Sequence, residues 1–145
     1  MYKDHLTLND IYVGDYVREY SEIVGKFSLP MCVCGIFPNG EVYLDINGHE
    51  GDVFESNIED IASIPISEEI LRGFGFGYLP EEDRWVLKTS ETELSVERLI
   101  DRKSAWFMVN HKYSSRGDVV SAVHELQESY YRRYGKPLTL KWSGV

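Results

Sequence analysis

The chain has 145 residues, of which 43% are hydrophobic and 27% charged, and its formal net charge is −9. These values are typical of a soluble globular protein with one ordinary domain or two small ones. No apolar run approaches the roughly 18 residues that a membrane span needs, and the first ten residues lack the apolar core of a signal peptide. We therefore expect a cytoplasmic protein that does not cross a membrane.

The negative charge is concentrated in the first half of the chain. Residues 1–66 contain three basic and twelve acidic residues, whereas residues 67–145 contain twelve of each. An acidic module repels phosphate, so this half disfavours nucleic-acid binding and favours a basic protein partner. A soluble acidic surface without a specific partner is the alternative interpretation. Candidate contacts for a basic partner are Glu41, Asp45 and Asp52.

Residues 1–66 have the pattern of a small β-domain. The predicted order is a strand at 16–20, an apolar strand at 31–37, a turn at 38–40, an alternating strand at 41–46, a short strand at 53–55, a turn at 57–60 and a closing strand at 61–66. The Asn39-Gly40 pair between two such runs is a strong hairpin signature. A small, twisted sheet protects its edges best by curling up, so we predict an SH3-like β-barrel.

Cys32 and Cys34 are the only cysteines, and they stand two residues apart on the predicted strand at 31–37. Two thiols do not supply the four ligands of a closed zinc site, and they do not form a disulfide framework. We predict buried structural thiols, no metal and no cofactor.

The second half begins near Pro65–Ser67, where Ser67 is the predicted cap of a short helix at 68–72. The alternating aromatic and glycine residues of 74–78 follow. Phe74 and Phe76 could line a ligand site, but aromatics that anchor the chain in a core are the favoured interpretation.

Residues 67–145 are predicted to form an α+β unit. Strands are expected at 84–89, 92–96 and 105–110, with a further strand at 138–142. Val119, Val123, Leu126 and Tyr130 form an apolar stripe at the helical period, which predicts a long helix at 118–134. Asp118 is its expected N-cap. The antiparallel sheet would pack on this helix.

The sequence contains no nucleophile elbow, P-loop, dinucleotide-binding glycine motif or metalloprotease motif. His124 and Gln127 lie three apart on one face of the predicted helix. A histidine beside the Glu125 carboxylate could act as a general base, but packing between helix and sheet is the favoured alternative.

A loosely basic region precedes the long helix. Its candidate nucleic-acid contacts are Arg98, Arg102, Lys103, Lys112 and Arg116. Acidic residues at Glu97 and Asp101 interleave with the first two of these, which favours local ion pairs over phosphate binding.

Three stretches together resemble a known pattern. They are Leu8-Asn9-Asp10 with Val13–Val17, Ile64–Leu71 running into Phe74-Gly75-Phe76, and Val123–Gln127 with Tyr130-Tyr131 and Pro137-Leu138. This pattern resembles a family of small uncharacterised proteins from Bacteroides-type bacteria, their prophages and their mobile elements. The chain departs from it at Asp15, where Asn is usual, and at Glu128-Ser129, where Asn-Leu is usual. The resemblance implies a phage or mobile-element context and no established enzyme activity, so no catalytic residue carries over.

The leading hypothesis is a non-enzymatic protein-interaction module with an unidentified, basic partner. One alternative is a nucleic-acid-associated protein that binds through the C-terminal basic loops. The other is a small enzyme centred on His124. The sequence does not predict an oligomeric state.

Overall fold

The computed structural model describes residues 6–45, 53–88, 93–98, 106–110 and 117–138. The chain divides between Ile64 and Pro65 into two compact units, called unit 1 and unit 2 below. Each unit contains its own antiparallel sheet, and unit 2 also contains two α-helices. The protein is therefore a mixed, strand-rich α+β protein.

Unit 1 is built from short strands and one turn of 3-10 helix. The elements are β1 (Tyr16–Ser21), β2 (Lys26–Phe27), β3 (Met31–Ile36), β4 (Glu41–Asp45), β5 (Val53–Asn57), a 3-10 helix (Ile58–Asp60) and β6 (Ile61–Ala62). Strands β3, β4 and β5 form an antiparallel meander. Strand β1 pairs with β2, β3 and β6.

The sheet of unit 1 curls into a half-barrel, because β6 returns to pair with β1 after the chain has passed through the meander. The hydroxyl of Ser56 on β5 donates a hydrogen bond to the carboxylate of Glu19 on β1, two strands that are not neighbours in the sheet. The enclosed core consists of Ile11, Val17, Met31, Val33, Val42, Leu44 and Ile61.

The predicted strands at 16–20, 31–37 and 41–46 are confirmed as β1, β3 and β4 within one residue at each described end. On β4 the buried residues Val42 and Leu44 alternate with outward residues, as the sequence predicts. The closing strand is shorter than the predicted 61–66. The pairing stops early because the Arg18 Nε donates a hydrogen bond to the Ser63 carbonyl at 2.9 Å. In addition, Pro65 has no N–H with which to continue the strand pairing.

The prediction of buried thiols is wrong. Met31 and Val33 occupy the inward positions of β3, whereas Cys32 is half-buried and Cys34 exposed. A continuous apolar run does not show which of its two faces will be buried. A register shift between Val33 and Gly35 also leaves Cys34 outside the regular pairing.

Unit 2 contains a five-stranded antiparallel sheet. Its elements are α1 (Glu68–Gly73), β7 (Gly77–Leu79), β8 (Arg84–Lys88), β9 (Glu93–Arg98), β10 (Trp106–Asn110), β11 (Gly117–Val120) and α2 (Val123–Tyr134). The strand order is β11-β10-β9-β8-β7. The predicted cap of α1 is confirmed, since the Ser67 hydroxyl accepts a hydrogen bond from the Ile70 N–H at 3.3 Å.

The predicted long helix at 118–134 begins five residues late. The segment from Gly117 to Val120 is strand β11, which pairs with β10, so Asp118 is not the N-cap. The next residues are held extended: Ala122 forms a bridge with Pro65, and the Ser121 carbonyl accepts from the Ile66 N–H at 3.2 Å. Helix α2 can therefore start only at Val123.

Glu125 stabilises this start. Its carboxylate accepts hydrogen bonds from the Ser121 and Ala122 N–H groups at 3.1 and 2.9 Å. The predicted end of the helix is confirmed: Gly135 adopts a left-handed φ of 68° and its N–H bonds the Tyr131 carbonyl. Most of the predicted strand at 138–142 lies outside the described residues.

Part of the core of unit 2 lies on one face of its sheet. The strand pairing places Trp85 beside Val96 and Trp106 beside Val120, and all four side chains are buried. Helix α2 contributes the apolar part of its buried face. The buried apolar residues of α1, the segment after it and α2 are Ile70, Leu71, Phe74, Phe76, Val123, Leu126 and Tyr130.

Candidate protein-interaction face

The outward side of the β3–β4–β5 meander combines carboxylates with aromatic rings. Strand β4 presents Glu41, Tyr43 and Asp45, which alternate with its buried residues. The pairing with β5 sets Glu55 directly opposite Tyr43, and Phe37 follows at the end of β3. We call these five residues the acidic face.

The two rings of the acidic face support each other. The ring centroids of Phe37 and Tyr43 are 4.7 Å apart with an interplanar angle of 54°. Both residues pack over Gly35, where an added Cβ would lie 3.2 Å from the Phe37 ring and 3.4 Å from the Tyr43 Cβ. Glycine at this point of β3 leaves room for the Phe37 ring to lie across the strand.

The carboxylates make this surface electronegative. The charge of Glu55 opposite Tyr43 raises the pKa of the Tyr43 hydroxyl. A hydrogen bond between this hydroxyl and the Glu55 side chain raises the pKa further. Burial, followed by the charge of Asp45, raises the pKa of Cys32 to about 11. Burial and then the charge of Asp45 also raise the pKa of Cys34, so both thiols stay protonated at neutral pH and are poor nucleophiles.

Few cations balance these acids within unit 1. Its described residues include two basic side chains, Arg18 and Lys26. The guanidinium of Arg18 lies 3.6 Å from the centroid of the Phe27 ring and bonds the Ser63 carbonyl. An Arg or Lys brought by another molecule could pair with the carboxylates and stack on the rings of the acidic face.

Asp15 is an unusual carboxylate of unit 1 that lies apart from the predicted site residues. It is buried at 4% exposure and its Oδ2 accepts the Tyr12 N–H at 2.9 Å. Burial raises its pKa from 3.8 to about 6, while the hydrogen bond from Tyr12 lowers it. This geometry closes the turn that precedes β1, so we assign Asp15 a structural role.

The predicted acidic contacts are partly brought together. Glu41 and Asp45 lie on the same side of β4, and Asp52 lies outside the described residues. Sequence reasoning missed Phe37, Tyr43 and Glu55 as their companions. The alternation of β4 places Tyr43 outward, but the position of Glu55 depends on the β4–β5 register.

The other predicted binding residues are buried in unit 2. Phe74 and Phe76 are each 3% exposed, which places them in the core, as the favoured interpretation of this stretch predicts. His124 and Gln127 are also buried on α2. The Gln127 Nε2 donates to the Leu138 carbonyl at 3.4 Å, a bond that ties α2 to the segment after it.

The candidate nucleic-acid contacts are represented by Arg98 alone within the described residues. Its side chain is exposed on β9, and its guanidinium lies 4.8 Å from the centroid of the Trp106 ring. Arg102, Lys103, Lys112 and Arg116 lie outside the described part of the chain.

Across the part of the chain that the structure describes, no cluster of three His, Cys, Asp or Glu side chains has the geometry to hold a metal ion. None of the helices within the same ranges is long and apolar enough to cross a membrane. Comparison with known proteins finds no matching family model, no matching curated protein and no matching solved structure.

Proposed function

We propose that the protein is a non-enzymatic interaction module whose unit 1 binds a basic segment of a partner protein through the acidic face. The observation that carries the proposal is the placement of Glu41, Asp45 and Glu55 around the Phe37–Tyr43 ring pair. Carboxylates select cationic side chains, and adjacent rings add cation–π attraction.

We further propose that unit 1 is an SH3-like barrel. Support comes from the order of its elements: a three-stranded meander, a single 3-10 turn and a short last strand that returns to β1. Such barrels host many unrelated functions, so the proposed binding activity depends on the acidic face and not on the fold.

The proposed cellular setting is the cytoplasm of a Bacteroides-type bacterium that carries a phage or mobile element. It is supported by the sequence motifs that resemble a family from these sources. A small acidic protein in this setting would act by binding a host or phage protein.

The expected interaction is of modest strength. An exposed ion pair contributes about 0.2–1 kcal/mol, and an exposed cation–π contact about 0.5–1 kcal/mol. Removing two carboxylates from the acidic face should therefore weaken binding by about 2- to 30-fold at low salt. The same removal should matter little at high salt, because exposed charges are then screened.

The test begins with the tagged full-length protein as bait in a lysate of a Bacteroides-type host, with and without nuclease. A nuclease-resistant partner is identified by mass spectrometry, purified, and titrated by calorimetry. The test variant is Glu41→Gln with Glu55→Gln. The matched control is Glu81→Gln with Glu97→Gln, which removes the same charge from exposed positions of unit 2.

The proposal predicts that the Glu41/Glu55 variant weakens binding and the Glu81/Glu97 variant does not. Equal effects of the two variants would show that net charge alone matters. Recovery that is lost with nuclease would contradict the proposal and favour a nucleic-acid-associated protein.

A further inference from the structure

The hairpin between β1 and β2 exposes two aliphatic side chains at its tip. Ile23 is 99% exposed and Val24 is 64% exposed. Full burial of such a side chain contributes about 1.5–3 kcal/mol, and Ile23 gains none of this within its own chain. An exposed leucine or isoleucine is common on a protein surface, so exposure alone does not indicate a binding site. The conformation of the tip must be considered as well.

The backbone of the tip is fixed by local hydrogen bonds. The Gly25 N–H donates to the Ser21 carbonyl at 2.7 Å, and the Val24 N–H donates to the Ser21 hydroxyl at 3.3 Å. Gly25 adopts a left-handed φ of 70°, which glycine accepts without strain. The turn thus has a defined conformation that directs Ile23 and Val24 away from the sheet.

The base of the hairpin is braced as well. Ser28 and Glu19 exchange two hydrogen bonds, one from the Ser28 N–H at 2.7 Å and one to the Ser28 hydroxyl at 2.8 Å. Across the strands, the Tyr20 and Phe27 rings lie 4.9 Å apart. A braced hairpin loses little conformational freedom on binding, and β-branched side chains such as Ile and Val have few rotamers to lose.

We infer that Ile23 and Val24 form an apolar anchor that inserts into a pocket of the partner protein, a conclusion that rests on the proposed function. Charge decides the kind of partner. The described residues of unit 1 carry nine acidic and two basic side chains. This excess repels an anionic lipid surface and suits an apolar pocket with a basic rim.

The anchor and the acidic face should contribute in different ways. Burial of apolar surface is insensitive to moderate salt, whereas the attraction of exposed carboxylates is screened by it. Substitution at the tip should therefore weaken binding by the same factor at all salt concentrations. Substitution in the acidic face should weaken it at low salt only.

The test uses full-length protein and the purified partner recovered in the experiment above. Ile23→Ser is compared with Val13→Ser, which changes an aliphatic side chain of unit 1 that is 65% exposed outside the hairpin. We expect Ile23→Ser to raise Kd at least about 10-fold at both about 50 and about 500 mM salt, and Val13→Ser to leave it unchanged. A photo-crosslinker at position 23 should attach to an apolar pocket of the partner.

Four results would overturn the inference. An unchanged Kd for Ile23→Ser, with a weakened Glu41/Glu55 variant, removes the anchor and leaves the proposed function standing. Ile23-dependent binding to phosphatidylglycerol vesicles would assign the tip to a membrane, and Ile23-dependent dimers in sedimentation would assign it to a second copy. Failure to recover any protein partner overturns the proposed function and the anchor together.

Discussion

Replacing Asp15 with asparagine should stabilise the protein at neutral pH. The Asp15 side chain is 4% exposed, and burial raises its pKa from 3.8 to about 6. A shift of this size corresponds to about 3 kcal/mol of unfavourable free energy for the ionised native state. Asparagine has nearly the same shape, carries no charge, and can still accept the Tyr12 N–H through its Oδ1.

The direction in which stability changes with pH follows from proton linkage. Native Asp15 binds a proton at higher pH than the unfolded chain does, so its contribution to stability is present below pH 3.8 and is lost as the pH rises through about 6. The asparagine variant lacks this loss. Its buried amide N–H groups carry a penalty of about 1–3 kcal/mol if they find no partner, but that penalty does not vary with pH.

The assay is urea denaturation of wild type and Asp15→Asn, followed by far-UV circular dichroism at several pH values. The difference in unfolding free energy between the two proteins removes the titration of all other groups. We expect this difference to move in favour of the variant by about 2.5 kcal/mol between about pH 4 and about pH 8. A difference that is constant over this range would contradict this prediction, because Asp15 would then titrate as it does in the unfolded chain.

Three further predictions concern individual contacts. Gly40→Ala should destabilise the protein by about 1–2 kcal/mol because Gly40 has a φ of 96°, whereas Gly77→Ala, at an ordinary φ with open space, should not; thermal melts compare the two. Asp45→Asn should speed alkylation of Cys34 at mildly alkaline pH, since burial and then the Asp45 charge raise the pKa of that thiol; mass spectrometry measures the rate, and an unchanged rate would contradict the assignment. Glu125→Ala should cost about 1 kcal/mol by removing the carboxylate that caps α2, and a urea midpoint equal to wild type would argue against that role.

The elements that the sequence predicts well depend on local chemistry. Strands β3 and β4 follow from an apolar run, an Asn-Gly turn and strict alternation, all within residues 31–45. The start of α1 depends on the Ser67 side chain, three residues from its hydrogen-bond partner. The end of α2 depends on Gly135. None of these features requires knowledge of distant residues.

The elements that the sequence predicts wrongly are determined by contacts between distant residues. Val119 and Val120 fit a helical stripe and a strand equally well, and pairing with β10 decides in favour of the strand. The bridge from Pro65 to Ala122 then sets the first residue of α2. Neither contact is visible in a local pattern.

In the acidic face, too, some residues can be predicted from the local sequence and others depend on distant contacts. The alternation of β4 is enough to place Glu41 and Asp45 on one face. Adding Glu55 and Phe37 requires the β4–β5 register and the irregularity near Gly35, which the sequence does not reveal. The anchor at Ile23 depends on solvent exposure, which no apolar pattern in residues 21–30 predicts.

Recognition of the partner by the acidic face is best tested by measuring the Kd of the purified partner for wild type and the Glu41→Gln/Glu55→Gln variant across a range of salt concentrations. We expect wild type to bind more tightly at low salt and the two curves to converge as exposed charges are screened. Identical curves at every salt concentration would contradict the claim that the acidic face recognises the partner.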